Sequence, residues 1–438
     1  MPSLKKSIQL LIYSSVLGLS LSAKAGQIVS YCYAAENNPE VRGVNINQML
    51  PIASVSKLVT SLWAATAKGA DYKFATLYYV IPVGGDVYDV HIKGALDPYF
   101  NEQTLHLLVS KLNELKVFKI RNFTFDENFK FYFNPNGKQI IPGQSGVFNP
   151  VDSQRPIEAP SPELVEKILS NRRQWLLNYN KTVQTSGIEM VKSPRLSIGS
   201  VKFATSESVV VGKQATGFIR STELVNQLKM MNWNSNNHAA NTLFNGLGGK
   251  KAFDNYIYNK IKMKPSEIDF INGSGNNEDF DGGSGKYNQA SCQAVVRLMK
   301  GLKKGLEVQK YKFEDVVAVI GADRGATVAR YAGNVGIMDG VAAKSGTVVP
   351  NVTLAGMIHT AKGNYYFMYN YKTTFPKLRR GAGRGAMQRA MMAEWSRGRN
   401  AIGVELAKLV RAVGGAASLD YKARSFELDS FEDDEAEE

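Results

Sequence analysis

Between Val341 and Tyr371 the chain passes through three successive segments of alternating apolar and polar residues, with Pro350-Asn351 and Lys362-Gly363-Asn364 placed between them as turns. Period-two alternation broken by turn residues predicts three consecutive strands, and such strands must lay one face of a sheet against an apolar partner. Another strand is predicted over Gln27–Ala34, rich in Val, Tyr and Ile. Helical spacing fills much of the remainder. In Pro51–Gly69 the residues Val55, Leu58, Val59 and Leu62 share a face and Gly69 stands as a stop, so a half-buried helix is expected from about Ser54. Further helices are expected over Ser221–Met231, just past Ser235, over Ser291–Leu302, and from Ala386 to Val413. With 44% hydrophobic and 21% charged residues, the chain is too apolar to be disordered and should fold around a large core.

The pattern changes between Ala75 and Lys202. Short alternating strands (Thr76–Ile81, Val87–Ile92) mix there with helices at Glu102–Leu115 and Pro162–Leu177, and Pro and Gly cluster from Asn134 to Pro162 as a surface loop. Residues 75–205 therefore read as a domain inserted into another, whose two parts are 26–74 and 206–420. The first 25 residues carry Lys5 and Lys6, a mostly apolar run from Leu10 to Leu21, and Ala23-Lys24-Ala25 before Gly26, the order of a secretory signal peptide. That run is shorter than the ~20 residues a spanning helix needs, and no later segment is long and apolar enough to span. Export to the periplasm, or secretion, is expected. In such a compartment Cys32 and Cys292 could pair; two isolated buried thiols fit the sequence equally.

The formal charge is +14, yet the last twelve residues, Glu427–Glu438, hold eight acids and no base. Residues 421–438 are expected to form a solvated, disordered acidic end. Basic residues concentrate from Lys372 to Arg399 around the single acid Glu394. Export argues against nucleic acid as their partner and for an anionic polymer of the cell envelope; a solvated helix face is the plainer alternative. The two cysteines and four well-separated histidines exclude a thiolate-rich metal site and an HExxH zinc site, so no metal or other cofactor is expected.

Three short motifs carry the chemistry. Ser54-Val55-Ser56-Lys57 is an SxxK at a helix start, where spacing of three residues puts the hydroxyl of Ser54 and the amine of Lys57 on one face. The same pattern at Ser3–Lys6, in the signal segment, shows how readily it arises by chance. Ser235-Asn236-Asn237 is an SxN at a loop–helix junction, but Ser274-Gly275-Asn276 fits as well, and turn or cap chemistry explains either. Lys344-Ser345-Gly346-Thr347 lies within a strand pattern, where a glycine suggests close approach of a backbone or ligand.

SxxK on a helix, SxN at a junction and K[ST]G on a strand, in that order, resemble the penicillin-recognising serine acyltransferases. Within that superfamily the chain resembles the class C low-molecular-mass penicillin-binding proteins, the serine D-Ala-D-Ala carboxypeptidase/endopeptidase family. Ile52–Thr60 with Gly69–Thr76 resembles that family's active-site helix and its exit. Gly94-Ala-Leu-Asp-Pro resembles its Gly-Asp-Pro turn, with Ala-Leu interposed. Arg220–Leu224 and Met231–Asn241 resemble the helix leading into SxN, which selects Ser235 and leaves Ser274 to the family's Asp-Gly-Ser-Gly loop. Gly325–Arg330, Ala343–Val348 and Leu354–Ile358 resemble its closing strands.

The resemblance implies a transpeptidase/β-lactamase-like α/β (α+β) fold, an antiparallel sheet flanked by helices, with the insertion between SxxK and SxN. Lys57 and Ser235 are 178 residues apart, too far for a class A β-lactamase. The further domain that longer members nest in the insertion is expected to be missing or reduced here, leaving a more open cleft. By the same resemblance Ser54 is the nucleophile, Lys57 its base and Ser235 the donor to the leaving amine. Asn237 would hold the substrate amide, Lys344 and Ser345 its terminal carboxylate, and the N–H groups of Ser54 and Thr347, beside Gly346, the oxyanion. The implied partners are peptidoglycan peptides, cut as a DD-endopeptidase or carboxypeptidase, and β-lactams as covalent inhibitors. A β-lactamase and a non-catalytic peptidoglycan-binding protein are the alternatives. No GxSxG elbow supports an α/β-type serine hydrolase.

Overall fold

The computed structural model describes residues 27–131, 166, 172–185, 189–275, 286–334, 339–374 and 384–422. The signal segment, the expected loop at 134–162 and residues 423–438 of the acidic end lie outside these.

In chain order the strands are β1 Gln27–Ala35, β2 Arg42–Val44, β3 Leu50–Pro51, β4 Ala75–Gly84, β5 Val87–Lys93, β6 Lys119–Phe125, β7 Ser197–Phe203, β8 Gly217–Arg220, β9 Ile268–Asp269, β10 Gln289–Ala290, β11 Val341–Val348, β12 Asn351–Thr360 and β13 Gly363–Lys372. The longer helices are α1 Ser56–Lys68, α2 Glu102–Glu114, α3 Arg172–Thr185, α4 Leu224–Asn234, α5 Asn237–Gly246, α6 Cys292–Val308 and α7 Arg384–Ala412. The three expected strands form an antiparallel meander, β11-β12-β13, which β1 and β2 extend into a five-stranded sheet.

Both faces of this sheet are covered, which is why β12 is almost wholly buried instead of alternating. Ala355 and Met357 pack with α1, α4, α5 and α6; Val352, Leu354 and Ile358 turn the other way, toward Ile402 and Leu406 of α7. Helix α1 is more enclosed than the half-buried helix expected, because it lies between the sheet and three other helices: every residue from Ser56 to Ala65 is buried. Gly69 ends it at φ +94°. The two cysteines form a disulfide that ties β1 to the start of α6 across 260 residues. Closing so long a loop restricts the unfolded chain by an amount worth about 5 kcal/mol in the chain-entropy account.

A second sheet, ordered β7-β6-β5-β4-β8, has its own core around Phe123, Phe125, Leu108 and Trp175. Strands β5, β6 and β7 are parallel, and α2 lies between β5 and β6 in the chain, as a parallel connection requires. Strand β8 pairs with β4 and sends Ile219 into this core, so the second sheet reaches past the boundary read at residue 205.

Two further expectations are corrected. Gly325–Arg330 is turn and 3-10 structure, not strand; the Asp323 carboxylate holds the preceding chain in a loop by accepting from the N–H of Val319 at 2.6 Å. Nor does the solvated end begin at 421. Asp323 and Lys229 form a fully buried ion pair at 2.7 Å, Lys229 also donates to the carbonyls of Glu314 and Val317, and the Tyr421 hydroxyl donates to the second Asp323 oxygen at 2.7 Å. With each donor and acceptor matched, the pair fastens the chain's last described turn to the body.

Candidate active site

The chain enters α1 through a constrained turn. The side chains of Asn370 and Thr353 donate to the carbonyls of Pro51 and Ile52, and Ala53 then takes φ +49°, a left-handed conformation unusual for alanine, which sets Ser54 in a 3-10 turn ahead of α1. Ser54 is half-buried while Lys57, one turn on, has no exposed surface. Ser235 likewise has φ +60°, closing α4 before Asn236 caps α5 through the N–H of Ala239.

The Lys57 amine gathers the site. Its Nζ lies 2.9 Å from Ser54 Oγ, 2.7 Å from Asn237 Oδ1 and 3.1 Å from the Ser274 carbonyl oxygen. The last two are acceptors only, so they take two N–H bonds of the amine and leave its remaining position facing a hydroxyl that can donate. Burial drives the Lys57 pKa well below the usual lysine range, and the neighbouring Lys344 cation pushes the same way. A neutral Lys57 with its lone pair on Ser54 satisfies every atom of the cluster.

Lys344, Ser345, Gly346 and Thr347 lie on β11. A Cβ on Gly346 would stand 2.9 Å from both the Ala53 Cβ and the Ile52 carbonyl, so only glycine lets the strand press against the nucleophile turn. At the start of β11 the Val341 carbonyl and the Ala343 N–H bond outward to Ile320 and Ala318. Ser345 and Thr347 share that parity; the Ser345 carbonyl accepts from the Lys344 amine, and among the described residues the Ser345 N–H and the Thr347 N–H and carbonyl make no outward backbone bond, leaving an open edge facing the cleft. Lys344 is fully buried and donates to the Ser345 carbonyl; burial, reinforced by Arg330, lowers its pKa to about 7. The Ser345 hydroxyl meets the Thr327 hydroxyl at 3.2 Å.

The structure thus brings Ser54, Lys57 and Asn237 into direct contact and sets β11 beside them. Asn237 spends its oxygen on Lys57, so only its amide N–H groups remain for a ligand. Ser235 is half-buried, and its hydroxyl makes no hydrogen bond among the described residues. Sequence reasoning set Ser274 aside, yet its carbonyl is one of the acceptors of Lys57. Its loop is held by Asn241, whose side chain accepts from the Ser274 N–H, and by Thr60, whose hydroxyl donates to the Gly273 carbonyl. Gly275, at φ +73°, abuts the Ala53 carbonyl so closely that a Cβ would overlap it. In sequence Thr327 and Arg330 read only as part of a strand; in space they are a hydroxyl and a cation close to the Lys-Ser-Gly strand.

The β-lactamase enzyme family profile matches residues 205–387. No curated protein matches the sequence. Among solved structures, the predatory peptidoglycan endopeptidase Bd3459 from Bdellovibrio bacteriovorus is 30% identical, with a TM-score of 0.73 over 91% of this chain and 96% of that one. The predatory endopeptidase Bd0816 of the same organism, solved with immunity protein Bd3460, is 27% identical, with a TM-score of 0.74 over 93% and 99%. Bd3459 has also been solved acylated by penicillin G. Penicillin-binding protein 4 from Haemophilus influenzae shares the fold at 13% identity, with a TM-score of 0.57 over 90% and 99%. With the three motifs gathered around one buried amine and this likeness spanning nearly its whole length, the chain belongs to the class C low-molecular-mass penicillin-binding-protein family.

Proposed function

We propose that the protein is a serine DD-peptidase that cuts D-Ala–diaminopimelate cross-links of peptidoglycan, removes terminal D-Ala from pentapeptide stems, and is acylated by penicillins. The observation that carries this reading is the buried, depressed Lys57 amine 2.9 Å from Ser54 Oγ. Serine is a poor nucleophile until a base takes its proton, and a lysine kept neutral is such a base. Ser54 attacks the D-Ala carbonyl as Lys57 takes its proton; Ser235 returns a proton to the leaving amine, and water then cleaves the ester. The N–H groups of Ser54 and Thr347 hold the oxyanion, Asn237 the substrate amide, and Lys344 with Ser345 the terminal carboxylate.

Cleavage of cross-links is favoured over simple trimming by the likeness to two endopeptidases and by an edge strand open to a polymeric substrate. Action in the periplasm follows from the signal-like leader, and the Cys32–Cys292 disulfide fits an oxidising compartment. The test is a mass-spectrometric digest of pentapeptide monomers and cross-linked dimers by the mature protein and by Ser54→Ala. Dimers should become monomers only with the unsubstituted protein. No change in either substrate by a folded protein would overturn the assignment.

A further inference from the structure

The edge of β11 is occupied at its start and open beyond. Val341 and Ala343 bond outward to Ile320 and Ala318, so a ligand can use the edge only from Ser345 onward. In the reading above, the carboxylate beside the cut bond sits at Lys344 and Ser345, and the acyl side of the substrate runs toward Thr347. A group that continues past that carboxylate must therefore leave the strand at Ser345. Thr327 stands there: its hydroxyl meets that of Ser345 at 3.2 Å, and its carbonyl accepts from Arg330 Nε at 2.7 Å.

Arg330 is exposed and belongs to a 3-10 turn, Ala329–Asn334, whose Tyr331 shares a core with Ile402 and Leu406 of α7. Gly398 lets α7 lie close on the sheet, since a Cβ there would stand 2.7 Å from the Tyr371 ring, and the next residue is the half-buried Arg399. Burial lowers the Arg399 pKa and the Arg330 cation lowers it further, as two guanidiniums held near one another require. Neither has a carboxylate partner among the described residues, whereas the neighbouring Arg397 is paired with buried Glu394 at 2.7 Å. The buried Tyr331 hydroxyl, whose pKa burial raises and both cations oppose, also makes no hydrogen bond among those residues. Two like charges held together repel until an anion joins them.

The two kinds of substrate differ at this place. In a pentapeptide the leaving group is D-Ala, which ends at its carboxylate. In a cross-link it is the diaminopimelate of a second stem, where the carbon bearing that carboxylate also carries a methylene arm leading to the rest of the stem and to its terminal carboxylate. We propose that Arg330 and Arg399 bind this second carboxylate of the acceptor stem and so favour cross-links as substrates. The proposal rests on the DD-peptidase reading above. Guanidiniums suit the task, because their planar fork pairs a carboxylate at two points.

The test measures kcat/KM for two substrates: a cross-linked dimer of tetrapeptide stems, and the same dimer with the terminal carboxylate of its acceptor stem converted to the amide. The unsubstituted protein, Arg330→Gln and Arg399→Gln are each scored by the ratio of acid to amide dimer, which cancels any effect of Arg330 on Lys344 and any loss of folded protein. The unsubstituted protein should prefer the acid dimer about tenfold, the worth of a charge-assisted hydrogen bond, and either variant should lose most of that preference. Equal cutting of the two dimers by the unsubstituted protein, or a preference kept in either variant, overturns the proposal. So does an unsubstituted protein that penicillin acylates but that cuts neither dimer. One that is not acylated and cuts nothing overturns the DD-peptidase reading instead, and the proposal with it.

Discussion

Replacing Lys57 with methionine removes the amine while keeping most of the side-chain volume in a site with no exposed surface. Two consequences follow from its three neighbours. Ser54 loses the group 2.9 Å away that receives its proton, and loss of a general base typically costs about 10²–10⁴ in rate. Asn237 Oδ1 and the Ser274 carbonyl lose their donor, a penalty of about 1–3 kcal/mol for each acceptor left buried and unpaired. Against this, the variant no longer has to bury an amine whose neutralisation is itself unfavourable below the ordinary lysine pKa, so the net loss of stability should be well under the sum. Stopped-flow acylation by a fluorescent penicillin, with adduct mass to confirm attachment at Ser54, should therefore show acylation slowed by at least a hundredfold between pH 6 and 8, and thermal melting should still be cooperative. The acid limb of the rate profile, which reports protonation of Lys57, should vanish. Acylation within a few-fold of the original, with that limb intact, would place the base elsewhere and refute the argument from the buried amine.

Lys344, held at about 7, is a cation below that pH and neutral above it. The second-order acylation rate of a carboxylate-bearing penicillin should accordingly fall as pH rises through about 7, whereas a depsipeptide ester substrate lacking the carboxylate should show no such limb; the same limb with both would remove Lys344 from carboxylate binding. Asp323→Asn leaves the Lys229 ammonium buried without its counter-charge, so a loss of about 3–5 kcal/mol is expected in denaturant unfolding, and a shift below 1 kcal/mol would mean the pair contributes little.

The parts of the site legible in sequence are those whose chemistry resides in side chains at short, fixed spacing. Ser54 with Lys57, Ser235 with Asn237, and Lys344 through Thr347 all belong to this group, as do the three strands bounded by Pro350-Asn351 and Lys362-Gly363-Asn364. What stayed hidden depends on distance in space. Ser274 contributes a carbonyl oxygen, which every residue has, so nothing in Asn272-Gly-Ser-Gly distinguishes an acceptor for Lys57 from ordinary turn chemistry. Lys229 sits among apolar neighbours in α4 and would be assigned to a solvated face; only the fold shows Asp323 beneath it. Tyr421 was absorbed into an acidic end by the composition around it, and the disulfide could not be chosen over two separate thiols because periodicity contains no information about residues 260 positions apart. Strand β8 was too short to claim membership of the second sheet before β4 was seen beside it.

The partners of Lys57 are 180 and 217 residues further along the chain. At ~5–20 residues per second, about 10–40 s of synthesis separate the appearance of the lysine from that of the Ser274 carbonyl. During that interval the nucleophile and its base exist without the groups that enclose and position the amine. An incomplete or prematurely terminated chain consequently lacks the acceptors that fix the Lys57 amine, so the catalytic cluster is assembled only after the chain has passed Ser274.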